Sequence, residues 1–253
     1  MAENTFRRME KKILLPSSDV PDLIERLNER MEPDPHNADG KPYMLCNLYF
    51  DDHARHVIRT SVERPFYKEK LRLRSYGTPN DQSPVFLELK KKTGGVGTKR
   101  RAKLPMAVAA NYLETGIHPS GISYIDEQVL KEIDYYRSHH EVFPSTYVSY
   151  LRNAYFSTDD KDFRVTIDRD ILTRHHDLDL RLGRYGDPIL PPEVTLMEVK
   201  FVGAVPLWFA RLMSEFKASF HTFSKYGTDF KIRTYREVTG DETAYPDTFY
   251  TMK

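Results

Sequence analysis

A single cysteine, Cys46, stands among 253 residues, which excludes an intramolecular disulfide and any cysteine-based zinc cluster. Its neighbours in YMLCNLYF read as a buried strand. No sign of charge is in excess: 38 Lys and Arg face 37 Asp and Glu, so no global field draws nucleic acid or anionic lipid to the chain, and any anion preference is local. Uncharged runs fall far short of the roughly 18 to 20 apolar residues of a membrane span. The start MAENTFRRMEKK lacks the apolar core of a signal peptide. The expectation is a cytoplasmic protein with no membrane span in this chain. Compact catalytic signatures are missing too: there is no HExxH, no GxxxxGK followed by Ser or Thr, no GxGxxG and no GxSxG. TGGVGTKR is only superficially like a phosphate loop, because it lies between strands instead of opening a helix. His139, His140, His175 and His176 come as adjacent pairs whose side chains diverge, and they read as surface residues. The 16 Tyr and 14 Phe sit mostly at apolar strand and helix positions, so they read as core and not as a stacking surface for nucleobases.

What the chain does have is charge alternating with apolar residues at period two. Lys70, Arg72 and Arg74 do so in KLRLRSY, Glu88, Lys90 and Lys92 in FLELKKK, Lys99 and Arg101 in TKRRAKL, Arg164 in FRVTID, and Glu198 and Lys200 in LMEVKF. Successive strand residues point to opposite faces, so each stretch has one charged face and one greasy face. The charged faces are mostly basic, with a single glutamate recurring among them. An outer sheet face of cross-strand Lys–Glu pairs would explain any one strand; the basic bias shared by five stretches points to a polyanion.

The organisation reads as one α+β domain over residues 1–253. EKKILLP begins as a strand, and SSDVPDLIERLNERM follows as a helix with Val20, Leu23, Ile24, Leu27 and Met31 on one face. PDPHNADGKP is a loop, YMLCNLYFDD a strand, and HARHVIRTSVERP a short helix or turn. KEKLRLRSYG, PVFLELKKK and GTKRRAKLP form an antiparallel meander. A helical insertion occupies about 106–141, with Ile125, Val129, Leu130 and Ile133 as its apolar face. Strands resume at TYVSYLRNAYFS, FRVTIDRDILTRH and TLMEVKF, and Pro206 opens a helix in PLWFARLMSEFKAS. SKYGTDFKI and a Tyr- and Asp-rich tail close the chain. About eight strands are expected to close into an antiparallel barrel with helices outside.

A row of phosphates is best met by planar Arg forks and Lys point charges converging from several directions. Lys12, Lys70, Arg72, Arg74, Lys90, Lys99, Arg101, Arg152, Arg164, Lys200 and Lys225 are the candidates. Glu10, Glu88 and Glu198 offer the carboxylate oxygens that Mg2+ or Mn2+ prefer. Asp168 and Asp170 in TIDRDI are weaker metal candidates that can pair with Arg169 or close a turn.

These residues, in this order, resemble the VTC domain of the vacuolar transporter chaperone family, a branch of the triphosphate tunnel metalloenzymes within the CYTH-like superfamily. The resemblance runs from MEKKILLP through NLYFDD, KLRLRSYG, FLELKKKTGGVGTKRRAKL, SYLRNAYFS, RVTIDRDI and LMEVKF to FSKYGTDF. It implies an eight-stranded tunnel in which the γ-phosphate of ATP passes to a growing inorganic polyphosphate or pyrophosphate acceptor. By the same resemblance Lys12, Arg72, Arg74, Lys90, Lys99, Arg101, Arg152 and Arg164 are tunnel cations. Tyr150, Ser224 and Lys225 are phosphate ligands, and Glu198 holds a divalent metal. The SPX and transmembrane segments of the family's membrane-embedded members are not evident here, so a stand-alone catalytic domain of the bacterial type is implied. The catalytic expectation centres on Arg72, Arg74, Lys90, Arg152, Arg164 and Lys225. A triphosphatase built on the same cradle, and a polyphosphate- or nucleotide-binding module without turnover, remain the alternatives.

Overall fold

The computed structural model describes residues 8–37, 39–94 and 96–242. The first seven residues of the stretch read as lacking a signal core, Gly95 of the glycine-rich hairpin, and the Tyr- and Asp-rich tail from 243 onward lie outside the described residues. Among the described residues eleven strands form: β1 (Arg8–Pro16), β2 (Met31–Pro33), β3 (Tyr43–Asp51), β4 (Tyr67–Tyr76), β5 (Pro84–Thr93), β6 (Val96–Pro105), β7 (Phe143–Ser157), β8 (Arg164–Arg174), β9 (Asp187–Pro188), β10 (Val194–Val202) and β11 (Phe220–His221). The helices are α1 (Val20–Asn28), α2 (His56–Val62), α3 (Met106–Thr115), α4 (Tyr124–His139), α5 (Leu207–Glu215) and α6 (Lys225–Thr239). Among the described residues, no helix is long and apolar enough to cross a membrane.

The α+β class holds, but the closed eight-stranded barrel does not form. The strands follow an open path, β11-β1-β10-β8-β7-β3-β4-β5-β6, with β2 on β7 and β9 on β8. Among the described residues β6 pairs with β5 alone and β11 with β1 alone. Period-two alternation is satisfied equally by an open or a closed sheet, so closure depends on the end strands. Both ends here are poor templates for further pairing. β6 carries Lys99, Arg100, Arg101 and Lys103, mostly exposed, and ends at Pro105, while β11 is only two residues long. Charge, proline and brevity are how natural sheets protect an edge.

The chain divides into two compact units. The first contains residues up to 43, 150–171 and 188 onward. In its sheet Ile13 and Leu15 of β1, Val165 and Ile167 of β8, and Met197 and Val199 of β10 turn one way, into a core with Leu23 and Leu27 of α1 and Phe209 and Leu212 of α5. Met31, expected on the α1 face, instead begins β2, where it faces Ser157 of β7 and still reaches this core. The alternate residues Lys12, Thr166, Glu198 and Lys200 are thereby committed to the other face.

The second unit contains residues 44–149 and 172–187. Leu71 and Leu73 of β4, Leu87 and Leu89 of β5, and Ala102 and Leu104 of β6 pack on Tyr112 of α3 and on Val129, Leu130, Ile133 and Tyr136 of α4. Burying each such leucine contributes roughly 1.5–3 kcal/mol. Ile125, expected on the buried stripe of α4, is 65% exposed; the stripe begins one turn later at Val129 and is extended by Tyr136. Cys46 is buried in β3 as expected, and the Tyr147 hydroxyl donates to its Sγ at 3.1 Å.

Candidate functional site

Within the second unit, the face of β3–β6 opposite the leucines is organised in cross-strand rows. Residues directly opposite in an antiparallel pair share a face, and the register sets Lys70 opposite Lys90 and Lys90 opposite Lys99. The next row reads Tyr49, Arg72, Glu88, Arg101, and the one beyond reads Asn47, Arg74, Phe86, Lys103. Glu88 is 1% exposed and accepts from Arg72 through Nε (3.1 Å) and Nη2, and from Lys99 Nζ at 3.2 Å. Arg72 Nη1 also donates to the Tyr49 hydroxyl at 3.1 Å. Arg74 Nε donates to Asn47 Oδ1 at 2.8 Å, and Asn47 is itself oriented by donating Nδ2 to the Val148 carbonyl at 3.0 Å. The guanidinium of Arg101 lies over the Phe86 ring, 4.8 Å from its centre.

Burial would push the Glu88 carboxyl up, but Arg72, Arg74 and Lys99 outweigh it and hold it at about 2 against an ordinary 4.5. Desolvation lowers the Lys99 ammonium, with Glu88 pulling it back. A carboxyl depressed in the folded state contributes stability above its unfolded pKa and loses it as pH falls through the folded one. Here the contribution is about 3 kcal/mol at neutral pH, lost between about pH 4.5 and 2. In urea melts across pH, the stability gap between the parental protein and Glu88→Gln should be widest above pH 4.5 and shrink toward pH 2. A gap of constant size through that window would show that ionisation of Glu88 is not what the fold uses.

Within the first unit, charged groups converge at the opposite face from Ile13, Ile167 and Val199. Asp168 of β8 is fully buried and accepts from Arg152 Nε at 2.6 Å and Nη2 at 2.7 Å. Lys225 Nζ reaches Asp168 at 2.6 Å and Glu198 Oε1 at 2.9 Å, and Arg152 Nη2 reaches Glu198 Oε2 at 3.1 Å. The Tyr150 ring faces both cations, with Lys225 Nζ 4.4 Å and the Arg152 guanidinium 5.1 Å from its centre. Lys12 Nζ donates to the Phe223 carbonyl at 2.8 Å and lies 3.9 Å from Glu198 and 3.4 Å from Glu10, which also pairs with Lys200 at 3.8 Å. Arg164 holds Asp34 at 3.3 Å and lies over Phe156. Burial would raise the Glu198 carboxyl; Lys225, Lys12, Arg152 and Lys200 outweigh it and hold it well below the usual carboxylate range. Lys225 is correspondingly raised, Asp168 and Glu198 overcoming its desolvation.

Helix α6 aims Lys225 into this cluster. Ser224 is its N-cap, accepting from the Gly227 amide at 3.2 Å, so the hydroxyl expected to bind phosphate satisfies an end of the helix. Asp168 pairs with Arg152 and Lys225 and not with Arg169, which instead donates to Asn153 at 2.9 Å. Asn47, Tyr49 and Thr166 were not singled out by sequence reasoning. Asn47 and Tyr49 lie in an apolar run whose strand register alone reveals them beside Arg74 and Arg72.

The three candidate metal ligands, Glu10, Glu88 and Glu198, are each tied to cations. Among the described residues no group of three or more His, Cys, Asp or Glu side chains gathers to hold a metal ion. Mg2+ is nonetheless commonly held by one or two carboxylates with substrate phosphates completing its shell. In the first unit the two candidate carboxylates are Glu198, whose oxygens meet Lys225 and Arg152, and Glu10, which meets Lys12 and Lys200.

The chain matches the VTC domain over residues 7–232. No curated protein sequence matches it. A candidate adenylate cyclase from Bacillus halodurans has a similar structure, with a TM-score of 0.51 and 16% identity over 87% of this chain and 94% of that one. A Hippeastrum protein, described as a candidate adenylyl cyclase with a dominant triphosphatase activity, gives a TM-score of 0.47 and 19% identity over 87% and 93%. At 16% identity the Bacillus likeness is one of fold.

Proposed function

Because this chain belongs to the VTC domain family, we propose that it is a phosphotransferase that moves the γ-phosphate of ATP onto inorganic polyphosphate or pyrophosphate. The observation that carries the reading is the Lys70–Lys90–Lys99 row beside Arg72 and Arg101, with Glu88 as the one carboxylate in the two rows. Like charges set directly opposite one another destabilise a sheet, and a bound polyanion relieves them. Arg72, Arg74, Lys90, Lys99 and Arg101 would grip phosphoryl oxygens in the second unit. Lys12, Arg152, Arg164, Lys200 and Lys225 would do so in the first. The acceptor's terminal phosphate supplies the nucleophile, so the protein's work is positioning and charge stabilisation. A divalent metal, Mn2+ or Mg2+, held by Glu198 and Glu10 together with phosphate oxygens, would supply further neutralisation of charge on the transferring group.

A phosphate acceptor is favoured over water by the state of the carboxylates. A general base works best with a pKa near the operating pH, and Glu88 and Glu198 are both held far below it. Incubation with ATP and Mn2+, resolved on a gel that separates phosphate chains from orthophosphate, should yield chains. Orthophosphate alone would replace the polymerase reading with a triphosphatase, and no loss of ATP would leave a binding module. Triphosphate at 100 times its Kd should contribute about 2.7 kcal/mol, raising the melting temperature by roughly 5 to 10 °C. Equimolar orthophosphate should do less, and equal shifts would remove the case for a polyanion.

A further inference from the structure

Thr166 of β8 is 1% exposed, and its Oγ1 has no hydrogen-bond partner among the described residues. Its surroundings make this unusual. Glu198 stands directly opposite it and Lys12 directly opposite Glu198, while Arg152 and Lys225 each reach both Asp168 and Glu198 within hydrogen-bond distance. A buried hydroxyl without a partner costs the fold free energy, and here it persists beside charged groups that do pair with one another. Two residues along the same strand face, Arg164 Nε is also buried without a partner among the described residues, although Nη2 of the same side chain holds Asp34. A hydroxyl and a guanidinium N–H, both without a partner among the described residues, thus share one face, their Cα atoms about 6.6 Å apart at the ordinary strand rise.

We infer that Thr166 is a further ligand contact of the first unit, its hydroxyl donating to an oxygen of a bound phosphoryl group that Arg164 also meets. The inference rests on the phosphate-handling function proposed above. A guanidinium N–H can be satisfied only by an acceptor, while a hydroxyl can donate or accept; one acceptor serves both, and the neighbouring Lys12, Lys200 and Arg164 select an acceptor carrying negative charge. A phosphoryl group presents several oxygens in different directions, so it can take one hydrogen bond from a short hydroxyl and another from a guanidinium at the same time. The threonine methyl is the part of the side chain that needs no partner, which explains why a hydroxyl can be carried here without a larger polar group.

The test compares Thr166→Val, which keeps the shape and removes the hydroxyl, with Thr166→Ser, which keeps the hydroxyl. Removing an orphaned donor should leave the unliganded melting temperature of Thr166→Val equal to or above the parental value. Calorimetric titration with inorganic triphosphate should show Thr166→Val binding about tenfold more weakly, the loss of one hydrogen bond to a charged group, with Thr166→Ser close to parental. A lower melting temperature for unliganded Thr166→Val, restored in Thr166→Ser, would mean that the hydroxyl is satisfied inside the protein or by an internal water, and the inference falls. It falls alone if the parental protein binds triphosphate and Thr166→Val binds it equally well. If the parental protein takes up no triphosphate, the proposed function falls with it.

Discussion

Asp168→Ala is expected to destabilise the protein by about 3 to 5 kcal/mol, the range seen when one partner of a buried ion pair is removed. Asp168 has no exposed surface and meets Arg152 through two nearly parallel bonds of 2.6 and 2.7 Å, with Lys225 2.6 Å away. Arg152 and Lys225 are themselves 7% and 9% exposed, so water cannot replace the lost carboxylate. Their remaining buried counter-ion would be Glu198, already shared between them. Urea unfolding should show a lower midpoint at unchanged slope, the mark of lost stability without a change in the surface exposed. Because Asp168 acts as an internal anion, triphosphate should raise the melting temperature of Asp168→Ala more than that of the parental protein. An unfolding midpoint within about 0.5 kcal/mol of parental, the range of ordinary surface changes, would show that the network does not hold this part of the fold.

The importance of Asp168 was not legible from its local sequence, whereas much of the face it belongs to was. Period two separates Glu198 and Lys200 from Met197 and Val199, and Lys12 from Ile13, without knowledge of the partner strands. Which charge meets which depends on β7, β8, β10 and α6 coming together, so TIDRDI offered Arg169 as the nearer partner in sequence. Helix α6 was unreadable for a related reason. Its buried residues include Lys225, Gly227, Thr228 and Asp229, so the apolar periodicity that marks a helix is missing, and only Ser224 and Gly240 at its ends carry a signal. Thr166 sits in a strand where threonine is ordinary, and only the absence of a partner distinguishes it. The expected barrel fails at the edges: the charges of β6 suit the lining of a tunnel, but they equally suit a strand that must not pair again.

Arg72→Lys and Arg74→Lys are each expected to lower the rate of phosphate-chain synthesis by on the order of 10- to 100-fold, the effect of losing 1.5 to 3 kcal/mol of charge-assisted hydrogen bonding. Net charge is unchanged in both, so only geometry is tested. The alternation puts Leu71 and Leu73 in the core and Arg72 and Arg74 on the opposite face. Each guanidinium is then fixed by different neighbours: Arg72 by Glu88 and the Tyr49 hydroxyl, Arg74 by an Asn47 amide that Val148 has already oriented. A planar fork held in this way presents its remaining surface at a set angle, which a flexible ammonium on a four-carbon stem cannot reproduce. The loss should therefore appear in kcat as well as in KM, because a fork fixed before binding serves the transition state and not substrate capture alone. Lys131→Ala serves as the control. That lysine lies on α4, pairs only at the surface with Glu127 at 2.9 Å, and should cost almost nothing. If both Arg→Lys proteins extend phosphate chains at the parental rate, the pair contributes bulk positive charge, and the orientation imposed by Glu88, Tyr49 and Asn47 has no part in the reaction.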